Sequence, residues 1–143
     1  MSTIERAIEI AAHAHAGDTD KADMPYILHP LRVMMAVKNP KEKIAAVLHD
    51  TIEDTYITEE YLLFEGFDTE VIEAVLALTK TPGESRIEAA KRALVNPIAR
   101  AVKLADVADN MDLSRIPNPT DKDWARLKEY EGVLSLLERG YPE

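Results

Sequence analysis

Apolar residues recur at helical spacing along nearly the whole chain, and the alternating patterns typical of strands are scarce. Residues 17 to 28 are rich in turn formers and predict an irregular loop. Glycine and proline punctuate the rest. The pattern predicts an all-α bundle of about eight helices forming one domain over residues 1 to 143, with helices near 3 to 16, from 29, from 40, and near 58 to 65, 68 to 80, 85 to 95, 97 to 114 and 120 to 139.

The third predicted helix ends in the stretch "AAVLHDTIEDT", residues 45 to 55, which crowds one imidazole and three carboxylates together. A helical period of 100° per residue places a group of polar side chains on one side, opposite an apolar stripe. That group is His49, Asp50, Glu53 and Asp54. A solvated acidic face is one explanation. The adjacent histidine and aspartate favour another, because their nitrogen and oxygen atoms can both reach one cation.

A second candidate ligand is His29, which precedes Pro30 at the start of the second predicted helix. A residue before proline is biased towards an extended backbone, so we expect the imidazole to project from the helix entrance. A helix-capping histidine without a metal is the alternative. His13 and His15 are two residues apart on the first helix, face different directions and are interpreted as structural.

A third signal lies in "AVKLADVADNM", residues 101 to 111. Lys103, Asp106, Asp109 and Asn110 share one side of this helix at spacings of three and four residues. Asp106 follows an otherwise apolar run, which predicts a position near the core. A buried carboxylate needs a cation or several hydrogen-bond donors. Asp106 is therefore either the partner of Lys103 in a structural ion pair or a metal ligand.

Composition limits the possible partners. The 143 residues are 46% hydrophobic and 30% charged, with a formal net charge of −9 and no cysteine. These values predict a folded domain without disulfides or thiolate metal sites, and the cytoplasm is the expected location. The negative charge argues against nucleic-acid binding, and no apolar run has the length of a membrane span. An anionic small molecule remains compatible with the charge if a metal and local cations receive it.

Three motifs together resemble those of the HD-domain phosphohydrolases, and in finer detail the hydrolase domain of the RelA/SpoT alarmone enzymes and their small stand-alone relatives. "PYILHPLRV" is similar to that family's "PYxxHPxxV", "LHDTIEDT" to "HDxxEDT", and "VKLADVADNM" to "KxADxxxNM". The motifs span residues 25 to 111 in the family's order. The resemblance implies an HD-domain helical bundle, with no synthetase or regulatory domain expected in residues 1 to 143.

The resemblance also implies roles for individual residues. The positions matching His29, His49, Asp50 and Asp106 hold one divalent metal in the family, usually Mn²⁺, although such a ligand set also suits Zn²⁺ or Fe²⁺. The matches to Glu53 and Asp54 are the catalytic pair, with the acid and base tasks not apportioned between them. By the same similarity the substrate-binding candidates are Lys21, Tyr26 and Asn110, with Lys80 and Arg86 as weaker phosphate candidates.

The implied reaction removes the 3′-pyrophosphate of ppGpp or pppGpp to give GDP or GTP. One departure concerns the loop that contacts the base: Asp20 and Lys21 stand where the family commonly has Arg and Lys, and Asp23 and Met24 replace Gly and Glu. Hydrolysis of another phosphorylated nucleotide, such as NADPH or a 3′-phosphorylated adenine nucleotide, is therefore the second hypothesis. A non-catalytic nucleotide sensor is the third. The predicted partner is a small-molecule nucleotide, and homo-oligomer formation is compatible with the sequence.

Overall fold

The computed structural model describes residues 1 to 139, and within them every regular element is helical, as the sequence predicts. The helices are α1 (Ile4–Ala14), α2 (Leu28–Ala36), α3 (Pro40–Leu48), α4 (Thr51–Asp54), α5 (Glu59–Phe64), α6 (Thr69–Leu78), α7 (Arg86–Leu94), α8 (Pro97–Asn110) and α9 (Asp121–Arg139), with a 3-10 helix at Leu113–Arg115. Over this range no helix has the combination of length and apolar character that crossing a bilayer requires.

Side-chain caps explain where several helices begin. At α3 the Asn39 side chain accepts from the Glu42 amide at 2.9 Å, and Glu42 accepts in return from the Asn39 amide at 3.3 Å. Ser85 and Glu88 form the same reciprocal pair at α7. These bonds satisfy amides that have no partner within the helix. The sequence therefore defines the start of α3 and of α7 locally.

Helix α3 lies at the centre of the bundle and packs against α1, α2, α6 and α8. Its Val47 and Leu48 are fully buried, together with Val33 of α2 and Val102 of α8. A smaller apolar cluster joins α7, α8 and α9 around Val133. Because α3 is surrounded, its C-terminal end is buried between the two helices that carry the other candidate ligands.

The third predicted helix is interrupted, and the expectation that it continues through Asp54 is wrong. Helix α3 ends at Leu48, and α4 begins at Thr51. The His49 imidazole bonds to the carbonyl of Ala46 at 2.6 Å, and the Thr51 hydroxyl donates to the carbonyl of Leu48 at 2.7 Å. Side chains that bond to nearby backbone carbonyls in this way compete with the regular helical pattern.

The interruption separates side chains that the helical projection placed together. His49 is only 2% exposed, whereas Glu53 and Asp54 are exposed to solvent. Ala46, which the helical projection places among these polar side chains, is fully buried. The polar side of the projected helix therefore faces the protein interior at one end and solvent at the other.

Helix α2 begins earlier than expected. It starts at Leu28, so His29 lies inside the first turn and is not extended. The amides of Leu28 and His29 bond to the carbonyls of Pro25 and Tyr26 at 3.1 and 3.0 Å. Pro30 is tolerated there because amides of the first turn need no helical acceptor. The local preference before proline is overridden by this turn.

Two expectations near the end of the chain need correction. Helix α8 ends at Asn110 rather than near 114, because the Asp112 carboxylate accepts from the Ser114 amide at 3.0 Å and begins the 3-10 helix. The apolar residues of the last predicted helix, Trp124, Leu127, Val133, Leu134 and Leu137, are expected in the core from their sequence pattern, but Trp124 is 52% exposed. Val133 and Leu137 are buried as expected, and Leu127 and Leu134 are partly buried.

The loop between α6 and α7 is fastened to the bundle by an ion pair. Pro82 and Gly83 form a tight turn in which the Glu84 amide bonds to the Thr81 carbonyl at 3.1 Å, and Gly83 has the positive φ of 81° that this turn requires. Arg92 then binds Glu84 at 2.7 Å and the Thr79 carbonyl at 2.6 Å. This arrangement fixes the segment on which Lys80 and Arg86 lie.

We predict that Glu84→Gln lowers the melting temperature at neutral pH. Arg92, and then the Thr81 amide, lower the pKa of Glu84 from 4.5 to about 2. A carboxylate with a lowered folded-state pKa stabilises the protein above its unfolded pKa and loses this contribution as the pH falls. The melting-temperature difference between parent and variant should therefore be constant above pH 4.5 and narrow towards pH 2. A difference that does not change with pH would contradict this assignment.

Candidate functional site

Four predicted metal ligands converge where α2, the end of α3 and α8 meet. The donor atoms of His29, His49 and Asp50 lie within 4.8 Å of one another. The Asp106 Oδ1 lies 2.9 Å from His29 Nε2 and 3.4 Å from His49 Nε2. The Asp50 Oδ2 lies 3.1 Å from His49 Nε2 and 3.8 Å from His29 Nε2. The structure thus brings together residues 77 positions apart in sequence.

Both imidazoles direct their Nε2 atoms into this cluster because their Nδ1 atoms are engaged outside it. His49 Nδ1 bonds to the Ala46 carbonyl at 2.6 Å, and His29 Nδ1 bonds to the Asp109 carboxylate at 2.7 Å. His49 Nε2 is buried and, although carboxylate oxygens lie close to it, none of the described residues has the alignment of a hydrogen-bond partner. Such outer contacts are typical of metal-ligating histidines. Two imidazole nitrogens and two carboxylates therefore fit a divalent transition metal.

The charges of the cluster depend on one another. Burial lowers the pKa of His29, but the hydrogen bonds to Asp106 and Asp109 outweigh it and raise this pKa to about 9. The pKa of His49 is also raised, since Asp50 and Asp106 outweigh its burial. The pKa of Asp106 is well below its usual value because the charges of its cationic neighbours outweigh its burial. The two carboxylates thus need nearby positive charge, which a metal ion can supply in place of the imidazole protons.

Three further side chains hold the carboxylates in place. The Tyr26 hydroxyl donates to Asp50 Oδ2 at 2.5 Å. Lys103 binds Asp106 Oδ2, and the Asn110 amide donates to Asp106 Oδ1, both at 3.1 Å. The ion pair considered as an alternative explanation for Asp106 is therefore present. It uses the oxygen turned away from the histidines, so it coexists with the cluster.

The two predicted catalytic carboxylates lie at the solvent side of the cluster. Glu53 Oε1 accepts a hydrogen bond from the Lys80 backbone amide at 2.6 Å. The protein next to Asp54 removes part of its hydration although the residue is exposed, and this loss, with the charges of Asp50 and Glu53, raises the pKa of Asp54 to about 6. Glu53 lines the cavity described next, whereas Asp54 lies outside its wall. The pair therefore combines a carboxylate held by a backbone donor with a neighbour that titrates near neutral pH.

Two cavities flank the cluster. The smaller has a volume of about 220 Å³, and its wall includes three cationic side chains, those of Lys80, Arg86 and Lys103. The larger, of about 360 Å³, is lined by Lys21, three arginines and two apolar residues, namely Arg32, Arg115, Arg126, Leu113 and Ile116. Both cavities share four wall residues, Tyr26, His29, Asn110 and Tyr130. Every predicted substrate-binding residue therefore lines one of these two cavities, which together are called the cleft.

Sequence reasoning missed several residues of the cleft, and one of them had a detectable signal. Tyr130 lies three and seven positions before Val133 and Leu137, on the face of α9 that packs into the core. A tyrosine on an apolar face requires a use for its hydroxyl. The guanidinium of Arg86 lies 4.8 Å from the centre of its ring. Arg115 and Arg126 had no comparable signal, because each follows an aspartate by three residues, a spacing typical of ordinary ion pairs on a helix surface.

Asp20 is the wall residue that departs from the expected pattern, and its carboxylate is used within its own loop. Its Oδ1 accepts from the amides of Ala22 at 2.8 Å and Met24 at 3.0 Å. Asp23 has a positive φ of 61° in the same turn. The loop is irregular, as predicted. Asp20 therefore orders the turn that presents Lys21, which is exposed.

An all-α bundle with a buried cluster of two histidines and two aspartates is the arrangement of the HD-type metal sites expected from the motifs. No family model matches the chain. The probable GTP pyrophosphokinase of Mycobacterium leprae is 33% identical over 96% of the chain and 19% of its own length. The guanosine-3′,5′-bis(diphosphate) 3′-pyrophosphohydrolase of Aquifex aeolicus is 34% identical over 93% of the chain and 22% of its own length.

A solved structure has the same fold. It is that of a metazoan orthologue of SpoT that hydrolyses ppGpp, with a TM-score of 0.76, 22% identity, and coverage of 98% of the chain and 87% of its own. The chain spans about a fifth of the length of the Mycobacterium and Aquifex relatives. Sequence and fold therefore confirm the resemblance to the RelA/SpoT-type enzymes over the length of the chain.

We predict that Mn²⁺, Zn²⁺ or Co²⁺ raises the melting temperature of the metal-free protein. A ligand that binds only the folded state adds about 2.7 kcal/mol at a hundredfold excess over its Kd. His49→Gln should lose most of the rise, since it removes the buried nitrogen. His13→Gln, a change at an exposed histidine of α1, should keep it. Equal shifts for His49→Gln and the parent in thermal scans would contradict the metal site.

Proposed function

We propose that the chain is a metal-dependent phosphohydrolase that removes the 3′-pyrophosphate of (p)ppGpp, giving pyrophosphate and GDP or GTP. The observation that carries this proposal is the convergence of two imidazoles and two carboxylates beside exposed Glu53. The relatives' names include both a pyrophosphokinase and a pyrophosphohydrolase. A cluster of side chains suited to hold a metal ion, next to a carboxylate, suits the activation of water. Hydrolysis is therefore the activity that we propose for this domain.

The proposed ligands of the metal are His29, His49, Asp50 and Asp106, and we propose Mn²⁺ as the ion, with Zn²⁺ and Fe²⁺ as chemically suitable substitutes. A divalent cation held there would lower the pKa of coordinated water and polarise a phosphoryl oxygen. The protein supplies the orientation of the ligands. Tyr26 fixes Asp50, and the Ala46 carbonyl fixes the ring of His49.

Glu53 and Asp54 are the proposed acid and base. Glu53 lines the cavity and is oriented by the Lys80 amide, which suits it to accept a proton from the attacking water. The pKa of about 6 allows Asp54 to hold or release a proton near neutral pH. In this proposal Asp54 donates the proton that the leaving group requires.

The cleft suggests how the nucleotide is oriented. Lys80, Arg86 and Lys103 would receive the pyrophosphate in the smaller cavity, while the nucleoside and its 5′-phosphates occupy the larger one near Lys21. A guanidinium is well suited to phosphate, and Arg86 is held over the Tyr130 ring while also paired with a glutamate. Tyr26 and Asn110 lie between the cavities, where the ribose would bind.

A second candidate is the same chemistry on NADPH or a 3′-phosphorylated adenine nucleotide. The observation behind it is Asp20, whose carboxylate lines the larger cavity at the position where related proteins commonly carry an arginine. Unlike an arginine, a carboxylate at this position can neither stack on the base through a cation–π contact nor bind a phosphate. The nucleobase is therefore the part of the substrate on which the two candidates differ.

A substrate panel tests the proposal. We expect the Mn²⁺-loaded protein to release pyrophosphate from ppGpp and pppGpp and to leave GDP or GTP, as followed by anion-exchange chromatography. Release of inorganic phosphate from NADPH or a 3′-phosphorylated adenine nucleotide, without reaction of ppGpp, would favour the second candidate. Calorimetric binding without turnover of any panel member would replace both with a nucleotide sensor.

Two substitutions should separate metal binding from turnover. Asp50→Ala should lose Mn²⁺ and turnover together, because it removes a ligand. Glu53→Gln should keep Mn²⁺ affinity and lower kcat by about 10²- to 10⁴-fold, the usual contribution of a general base. Metal content by mass spectrometry and steady-state rates measure the two effects. An unchanged kcat for Glu53→Gln would remove Glu53 from the catalytic pair.

A further inference from the structure

Asp109 contacts His29 on the side of its ring that faces away from the ligand cluster, and Arg32 binds Asp109 in turn. Asp109 Oδ2 lies 2.7 Å from His29 Nδ1. Arg32 binds the same carboxylate with two hydrogen bonds, from Nε to Oδ1 at 2.7 Å and from Nη2 to Oδ2 at 3.0 Å. The Asp109 side chain is only 12% exposed. A nearly buried carboxylate therefore connects a guanidinium to a metal-ligand candidate.

These two residues occupy positions that the sequence motifs leave open. Arg32 fills an unspecified place in "PYxxHPxxV", and Asp109 fills one in "KxADxxxNM". They come from α2 and α8, 77 residues apart, and meet only in the folded chain. Their pairing is bidentate, the geometry in which an arginine fixes both the position and the plane of a carboxylate. The motifs therefore do not predict this arrangement, which depends on how α2 and α8 pack.

We propose that Asp109, held by Arg32, is the positioning residue that directs His29 Nε2 towards the metal. The proposal rests on the metal-binding part of the proposed function and does not depend on the identity of the nucleotide. Asp109 holds the proton on Nδ1, which leaves Nε2 as the ligand atom and fixes the rotation of the ring. His49 obtains the same orientation from the Ala46 backbone carbonyl, so only His29 relies on a replaceable side chain.

Arg32 acts on the metal through Asp109 alone. Without Arg32, the Asp109 carboxylate keeps its contact with His29 but loses the two bonds that define its plane. Without Asp109, the ring of His29 loses its acceptor and Arg32 loses its partner. The effect of removing Arg32 should therefore be smaller than that of removing Asp109, and the two effects should not add.

Mn²⁺ titration of the full chain by calorimetry tests this proposal. We expect Asp109→Ala to weaken Mn²⁺ binding by about 10- to 100-fold, the range typical of outer contacts to metal ligands. Asp109→Asn keeps the size and an acceptor oxygen, and should lie between the parent and Asp109→Ala. Arg32→Met should weaken binding less than Asp109→Ala does, and the double variant should match Asp109→Ala. The ligand-field absorption band of bound Co²⁺ should shift in both Asp109 variants, since it reports coordination geometry.

A matched control is available in Arg6, which binds Glu65 with two bonds at 2.7 and 3.1 Å on the far end of α1 from the cluster. Arg6→Met removes an equivalent bidentate pair and should leave Mn²⁺ affinity and the Co²⁺ band unchanged. Circular dichroism establishes that each variant is folded. If Asp109→Ala does not fold, the conclusion is drawn from Asp109→Asn and Arg32→Met.

Several results would overturn the proposal. These are parent-like Mn²⁺ affinity in the folded Asp109 variants, an equal loss in Arg6→Met and Arg32→Met, or no Mn²⁺ binding by the parent. Weakened Mn²⁺ binding in the Asp109 variants alongside a parent that hydrolyses no nucleotide would support the positioning role and reject the proposed function. The two conclusions can therefore fail separately.

Discussion

The rest of this structure depends on one constraint, the placement side by side of two carboxylates, Asp106 buried and Asp50 largely buried. Asp50 and Asp106 lie within reach of the same two imidazoles, and a buried carboxylate without compensating charge is strongly destabilising. The bundle supplies compensation from several directions, with Lys103 on the outer oxygen of Asp106 and Tyr26 on Asp50. The remaining positive charge comes from imidazole protons or from a metal ion. The arrangement therefore favours a bound cation, regardless of which reaction takes place at the site.

The helical architecture explains how the short stretch of residues 49 to 54 passes from the protein interior to the solvent. Helix α3 is the central element, so its last turn carries His49 into the interior. The interruption before Thr51 then redirects the chain, and Glu53 emerges at the wall of the cleft. An uninterrupted helix would keep one face on one side of the bundle. The side-chain bonds at the interruption thus separate the ligand candidates His49 and Asp50 from exposed carboxylates that lie at most five residues further along the chain.

The sequence predicted the all-α class and the residues of the cluster, because helical periodicity and unusual polar residues in apolar runs are local signals. The interruption of α3 was not predictable by the same reasoning, since the competing His49 and Thr51 bonds depend on a buried environment. The position of His29 within a helical turn also escaped prediction, because a tertiary arrangement overrode the preference before proline. Asp109 was seen on the same face as Asp106, but its contact with His29 requires knowledge of how α2 and α8 pack.

The electrostatics of the cleft differ from those of the whole chain in a way that bears on its substrate. A net charge of −9 repels anions at long range, yet the smaller cavity gathers three cationic side chains beside the cluster. In the larger cavity three arginines are each paired with an aspartate. Paired guanidinium groups retain N–H donors but contribute little net charge. In the smaller cavity Lys103 and Arg86 are paired in the same way, with Asp106 and Glu129, so the charge that attracts an anion to the cluster would come mainly from a bound metal ion. With that ion in place, the phosphoryl group to be cleaved would be bound more firmly than the remote end of the molecule.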